Sequence, residues 1–149
     1  LSLKFHEKPY IYKTISYFLQ NNQKNFENLK KYDIIIIVPI SKKRQKERGY
    51  NQSELFAREI SNIINAQIIK NILHKMKETP PQSTLNKKQR EENVKNVYKV
   101  GKIQKIMDKR ILLVDDIYTT GNTINECARI LVQAGIDRKQ IGALTIAKD

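Results

Sequence analysis

Apolar positions along the chain fall into two rhythms. Unbroken apolar runs occur at residues 34–38 and 111–114, and such runs predict strands covered on both faces, because a half-exposed strand alternates apolar with polar. Apolar spacing of three and four predicts helices over residues 9–19, 51–64 and 124–134, the last ended by Gly135. Asn51 and Glu54 have the spacing of a capping box at the start of the second. Residues 68–76 predict one or two strand segments, 98–100 a brief strand and 141–147 a final one. Residues 77–85 read as a polar, proline-broken loop, and 86–96 as a short charged helix. Strand and helix alternate throughout, which predicts one α/β domain over residues 1–149, built on a parallel sheet with a small flap, or hood, across residues 77–98.

The most informative segment runs from Ile111 to Thr123. Its strand is expected to end at Asp115, followed by Asp116 and a turn of small and hydroxyl residues before a helix from Ile124. Ligands of open parallel sheets gather at the carboxyl ends of strands, so two adjacent acids there are placed to accept hydrogen bonds from vicinal sugar hydroxyls. Thr119, Thr120, Gly121, Asn122 and Thr123 offer hydroxyls and backbone N–H groups beside the positive end of a helix dipole, where a phosphate fits. Asn122 is the residue expected to take a left-handed conformation. Ordinary turn and cap chemistry accounts for either half alone; the two together favour a sugar-phosphate site.

A second strand-end loop follows residue 38. Pro39, Ile40 and Ser41 lead into Lys42, Lys43, Arg44, Lys46 and Arg48, opposed by Glu47 alone, and Gly49-Tyr50-Asn51-Gln52 then opens a helix. Such a run suits a pyrophosphate or a nucleic-acid backbone, although a solvated loop has the same composition. Further along stand Thr79-Pro80-Pro81-Gln82 and Arg90-x-x-Asn93-Val94.

The acid pair and its turn closely resemble the phosphoribosyl-pyrophosphate (PRPP) motif of type I phosphoribosyltransferases. All four motifs in this order resemble the ComF family of competence-associated proteins, over nearly the whole chain. The resemblance implies a type I phosphoribosyltransferase-like fold in which Asp115 and Asp116 hold the ribose hydroxyls. The stretch from Tyr118 through Thr119, Thr120, Gly121 and Asn122 to Thr123 would hold the 5′-phosphate, Ser41 would join the PRPP site, and Mg²⁺ would come with the pyrophosphate. It also implies a cytoplasmic role with incoming single-stranded DNA in natural transformation, alongside competence or recombination proteins. Family members usually begin with a zinc-binding segment of paired cysteines; with one cysteine, this chain is expected to lack that segment and to bind no zinc. Thr119 stands where the purine-salvage branch carries a further Asp, so that acid-base group is missing.

Charge changes the picture only where it clusters. A net charge of +13 invites a polyanion, but a chain rich in Lys, Ile and Asn acquires basicity from coding composition as well. The clusters at Lys42, Lys43, Arg44, Lys46 and Arg48, and at Lys87 and Lys88 beside Arg90, are therefore the candidate nucleic-acid contacts. Tyr50 and Tyr118 could stack a base, though tyrosines at a sheet end pack against helices as often. Cys127 reads as a packing residue, and His6 and His74 as ordinary histidines. No apolar run approaches the roughly 20 residues of a membrane span.

Three function classes remain. The preferred one is a PRPP-binding accessory protein of DNA uptake. The second is an active phosphoribosyltransferase with Lys42, Arg44 and Arg90 stabilising the leaving group, its acceptor unidentified. The third, a basic nucleic-acid module without PRPP, leaves Asp115 and Asp116 unexplained, since carboxylates repel phosphate.

Overall fold

A computed structural model describes residues 17, 19, 21–40, 46, 52–77, 96–118 and 121–148. In chain order the elements are strand β1 (Ile34–Ile37), helix α1 (Gln52–Ile64), strands β2 (Gln67–Ile68), β3 (Leu73–Lys75), β4 (Tyr98–Val100) and β5 (Ile111–Tyr118), helix α2 (Asn122–Gln133) and strand β6 (Ile141–Lys148). Short 3₁₀ turns precede β1, β5 and β6.

Four strands form a parallel sheet in the order β2-β1-β5-β6. The two all-apolar strands, β1 and β5, are central and paired in register from Ile34 with Ile111 to Ile37 with Val114. Successive side chains of a strand point to opposite faces, so each of these strands feeds two cores. Ile34, Ile36, Ile111 and Leu113 join Ile124, Cys127 and Leu131 of α2 on one face. Ile35, Leu112 and Val114 join Phe56, Ala57, Ile60 and Ile64 of α1 on the other. Each fully buried Ile or Leu contributes roughly 1.5–3 kcal/mol against chain entropy. The apolar stripes of the two helices thus determine which helix covers which face.

β3 and β4 form a separate antiparallel pair. It is anchored by Leu73, Val97 and Tyr98, which bury into the core on the α2 face. The 68–76 region therefore supplies two strands in two different sheets. Asn71 and Asn96, at the ends of this pair, have φ of 63° and 57°, a left-handed conformation that Asn adopts more readily than other non-glycine residues.

Two boundaries differ from the expectation. β5 does not end at Asp115 but continues to Tyr118, because β6 runs on to Lys148 and pairs with it at Asp115–Thr145, Ile117–Ala147 and Tyr118–Lys148. The left-handed residue of the following turn is Gly121, at φ 74°, and not Asn122, which begins α2. Gly takes that conformation without steric cost. Of the helix expected over 9–19, only residues 17 and 19 are described, both helical. The loop and helix expected within 78–95 lie outside the described residues.

Candidate sugar-phosphate site

The carboxyl ends of β1, β2 and β5 open on one side of the sheet, and the site is built there. Asp115 follows Val114 in β5, buried to 7% exposure, in a strand bonded to both neighbours. On one side Val38 N–H donates to the Val114 carbonyl at 2.9 Å; on the other Asp115 pairs with Thr145. A carboxylate this buried needs partners, and Asp115 has them within the fold.

Its charge is felt by Cys127 on α2. Burial pushes the Cys127 thiol well above its ordinary range, and the charges of Asp115 and Glu126 push it further, with Lys75 acting the other way. Cys127 is therefore a neutral packing thiol. Lys75 sits with its ammonium 5.8 Å from the centre of the Tyr98 ring, its cross-strand partner. Glu126, at 6% exposure, accepts from Arg129 Nε at 2.7 Å and Nη2 at 2.8 Å, and from the Asn96 N–H at 3.4 Å.

After β5 the chain turns at Gly121 into α2, whose first residues are Asn122 and Thr123. The Gly121 carbonyl accepts from Asn125 N–H at 2.9 Å, which closes the first helical turn. The side-chain amide nitrogen of Asn122 is buried and has no hydrogen-bond partner among the described residues. An unpaired buried donor costs about 1–3 kcal/mol, and here it lies at the positive end of a helix. Among the described residues no side chain caps that end, and the N–H groups at the start of a helix are suited to an anion.

Beside the ends of β1 and β2 a cleft of about 250 Å³ is lined by Pro39, Ile40, Glu54, Lys70 and Asn71. Oε1 of Glu54 accepts from Arg58 and from Lys70, each at 2.9 Å, and the two cations hold its carboxyl below the usual range. Asn51, its expected capping partner, lies outside the described residues.

Of the residues singled out in the sequence, Asp115, Gly121, Asn122 and Thr123 are gathered at this end. Asp116 and Tyr118 are in β5, so they belong to a strand and not to a loop. Lys46 is exposed. Ser41, Lys42, Lys43, Arg44, Arg48, Lys87, Lys88, Arg90, Thr119 and Thr120 lie outside the described residues. Two features had no sequence signal. The Glu54–Lys70 pair spans 16 residues, and Glu126 meets Asn96 across 30; only the tertiary fold brings them together. His74 is exposed, with Nε2 3.1 Å from the Asn71 carbonyl, an ordinary surface contact.

Residues 23–149 match the phosphoribosyl transferase domain family. The chain belongs to that family, in its ComF branch. It is 32% identical over 148 residues to competence protein F of Haemophilus influenzae, covering 97% of this chain and 65% of that protein. It is 30% identical over 112 residues to DNA utilization protein YhgH of Escherichia coli K12, covering 75% of this chain and 48% of the relative. Competence protein ComFC of Bacillus subtilis is 30% identical over 105 residues, covering 70% of this chain and 40% of the relative. The chain thus spans between two fifths and two thirds of the length of these ComF relatives. The parallel four-stranded sheet with a helix on each face is the type I phosphoribosyltransferase-like fold expected from the motifs.

Proposed function

We propose that this ComF chain binds PRPP at the carboxyl ends of its sheet and works in DNA uptake, handling single-stranded DNA in the cytoplasm. The observation that carries the PRPP reading is the buried Asn122 amide nitrogen, without a hydrogen-bond partner among the described residues, at the start of the helix that follows the strand carrying the buried Asp115. A phosphate would accept from that amide and from N–H groups of the turn, while Asp115 and Asp116, in the carboxyl half of β5, would accept from ribose hydroxyls. Thr119 and Thr120 would complete the phosphate cradle, with Ser41 beside the pyrophosphate. Mg²⁺ enters with PRPP and neutralises part of the pyrophosphate charge. The role in DNA uptake is supported by the competence and DNA-utilization names of the relatives. Among the described residues, no helix is long and apolar enough to cross a membrane.

Calorimetric titration with PRPP and Mg²⁺ tests this. Saturable binding is expected in the wild type and is lost in the Asp115→Asn, Asp116→Asn double variant; equal affinity in both would remove the site assignment. The family membership also supports a second reading, transfer of the ribose 5-phosphate to an acceptor. Lys42, Arg44 and Arg90 would then stabilise the departing pyrophosphate. Pyrophosphate release in the presence of candidate bases separates turnover from sensing.

A further inference from the structure

We propose that the opposite end of the sheet, where the parallel strands begin, is a contact surface for the phosphate backbone of single-stranded nucleic acid, separate from the sugar-phosphate site. The proposal rests on the nucleic-acid part of the function above and adds a location to it.

Three connections meet at this end, the turns at residues 30–33, 107–110 and 137–140, which lead into β1, β5 and β6. They are bound to one another. Asp33 N–H donates to the Arg110 carbonyl at 2.8 Å, and Arg110 N–H donates to Asp33 Oδ2 at 2.7 Å. Gln140 Nε2 donates to the Met107 and Lys109 carbonyls at 3.0 and 3.2 Å. These bonds fix the surface that the turns present.

Its charges are unevenly committed. Asp33 is occupied by Arg110, and Asp137 accepts from the Lys139 N–H within a capping box. The acids therefore hold the backbone. Lys31, Lys105, Lys109, Arg138 and Lys139 are all exposed, and among the described residues none is within ion-pair distance of a carboxylate. Asp108 is the only exposed acid of this end whose side chain is tied to nothing among the described residues. Uncompensated cations on a rigid frame suit a polyanion, whose counterions they displace. Among the described residues no open aromatic platform accompanies them: the Tyr32 ring lies under the Lys31 ammonium at 5.3 Å and is turned toward Gly142. The contact is consequently to phosphates and blind to sequence.

The two ends are electrostatically separate. From Ile111 to Asp115, at ~3.3 Å per residue, β5 puts on the order of 13 Å between them. That exceeds the Debye length of about 8 Å at physiological salt, so strand and PRPP are expected to bind without competing.

The test is binding of fluorescent dT20 across a salt series. Wild type is compared with a triple variant, Lys105→Gln, Lys109→Gln, Lys139→Gln, with the same three positions changed to Arg, and with Asp108→Lys. The Gln variant is expected to lose at least tenfold in affinity and to flatten the salt slope by about 2, since each lost phosphate contact removes ~0.7. The Arg variant retains binding, Asp108→Lys tightens it, and saturating PRPP leaves it unchanged. An unaltered slope in the Gln variant together with no gain in Asp108→Lys overturns the location, while wild-type binding keeps the nucleic-acid reading. Displacement of dT20 by PRPP also overturns it. A wild type that ignores dT20 removes both, and the PRPP titration stands apart from either result.

Discussion

Gly142 is small because Tyr32 occupies the space above it. A Cβ at this position would overlap Tyr32 Oη and Cζ, so the ring crosses β6 only where a side chain is missing. Tyr32 is half-buried and packs against the core on the α1 face, so the ring must shift and Gly142→Ala should cost about 1–3 kcal/mol, the ordinary range of overpacking. Urea denaturation should show this loss in the wild-type background and little of it with Tyr32→Ala, because the clash is then gone; equal losses in both would mean that the cost is backbone strain. Asp33 tests a charge in the same region. The Arg110 N–H bonded to its carboxylate holds its pKa below the ordinary value, and the Arg110 side chain and Lys109 add to this. A depressed folded pKa stabilises the protein above the unfolded pKa, and that stability fades as pH falls through the folded value. Asp33→Asn should therefore be less stable than wild type at neutral pH, with the gap closing below about pH 4. The group is more than a third exposed, so the gap is modest; a gap that persists to pH 2 would assign it to hydrogen-bond geometry instead of charge.

Elements explain both what the sequence disclosed and what it concealed. The runs at 34–38 and 111–114 were legible as central strands because an unbroken apolar stretch has no other stable place in an α/β fold. The helices followed from their apolar stripes, and Gly135, at φ 112°, ended α2 as its position implied. The extent of β5 was not legible. Asp115 and Asp116 look like a strand end by polarity, but β6 pairs on beyond them, and a partner strand 30 residues away leaves no local trace. Gly121 and Asn122 divided the turn in the other order for a related reason: which residue takes positive φ depends on where the strand stops. Of the candidate site, the acids and the helix start were readable as chemistry, whereas the links from α2 to β4 were not. Glu126 is the clearest of these links, a buried carboxylate that holds Arg129 and the Asn96 N–H. Arg129→Ala removes both guanidinium hydrogen bonds from this buried carboxylate and should cost roughly 1–3 kcal/mol. Hydrogen exchange should then accelerate at residues 96–100 before it does in β1; unchanged protection there would confine Glu126 to its own helix.

At the scale of the whole molecule, a net charge of +13 opposes compaction through self-repulsion. The described ion pairs work in the other direction but are mostly exposed. Glu27–Lys30, Glu54–Arg58 and Asp33–Arg110 each have a partner more than half open to solvent, where such pairs are worth ~0–1 kcal/mol. The buried Glu126 carboxylate is the member of this set that salt screens least. Dispersed repulsion among many cations therefore outweighs the exposed pairs, and added salt should stabilise the chain: the urea midpoint should rise as NaCl goes from about 0.01 to 0.3 M, while the Debye length falls from about 30 Å to below 8 Å. Phosphate and pyrophosphate should raise it beyond chloride at equal ionic strength, since an anion bound to the folded state adds mass-action stabilisation to screening. The Asp115→Asn, Asp116→Asn variant should keep the chloride response, because repulsion arises across the surface and not at the site. A midpoint that falls with salt would mean that the ion pairs dominate and that the excess positive charge is spaced widely enough to cost little.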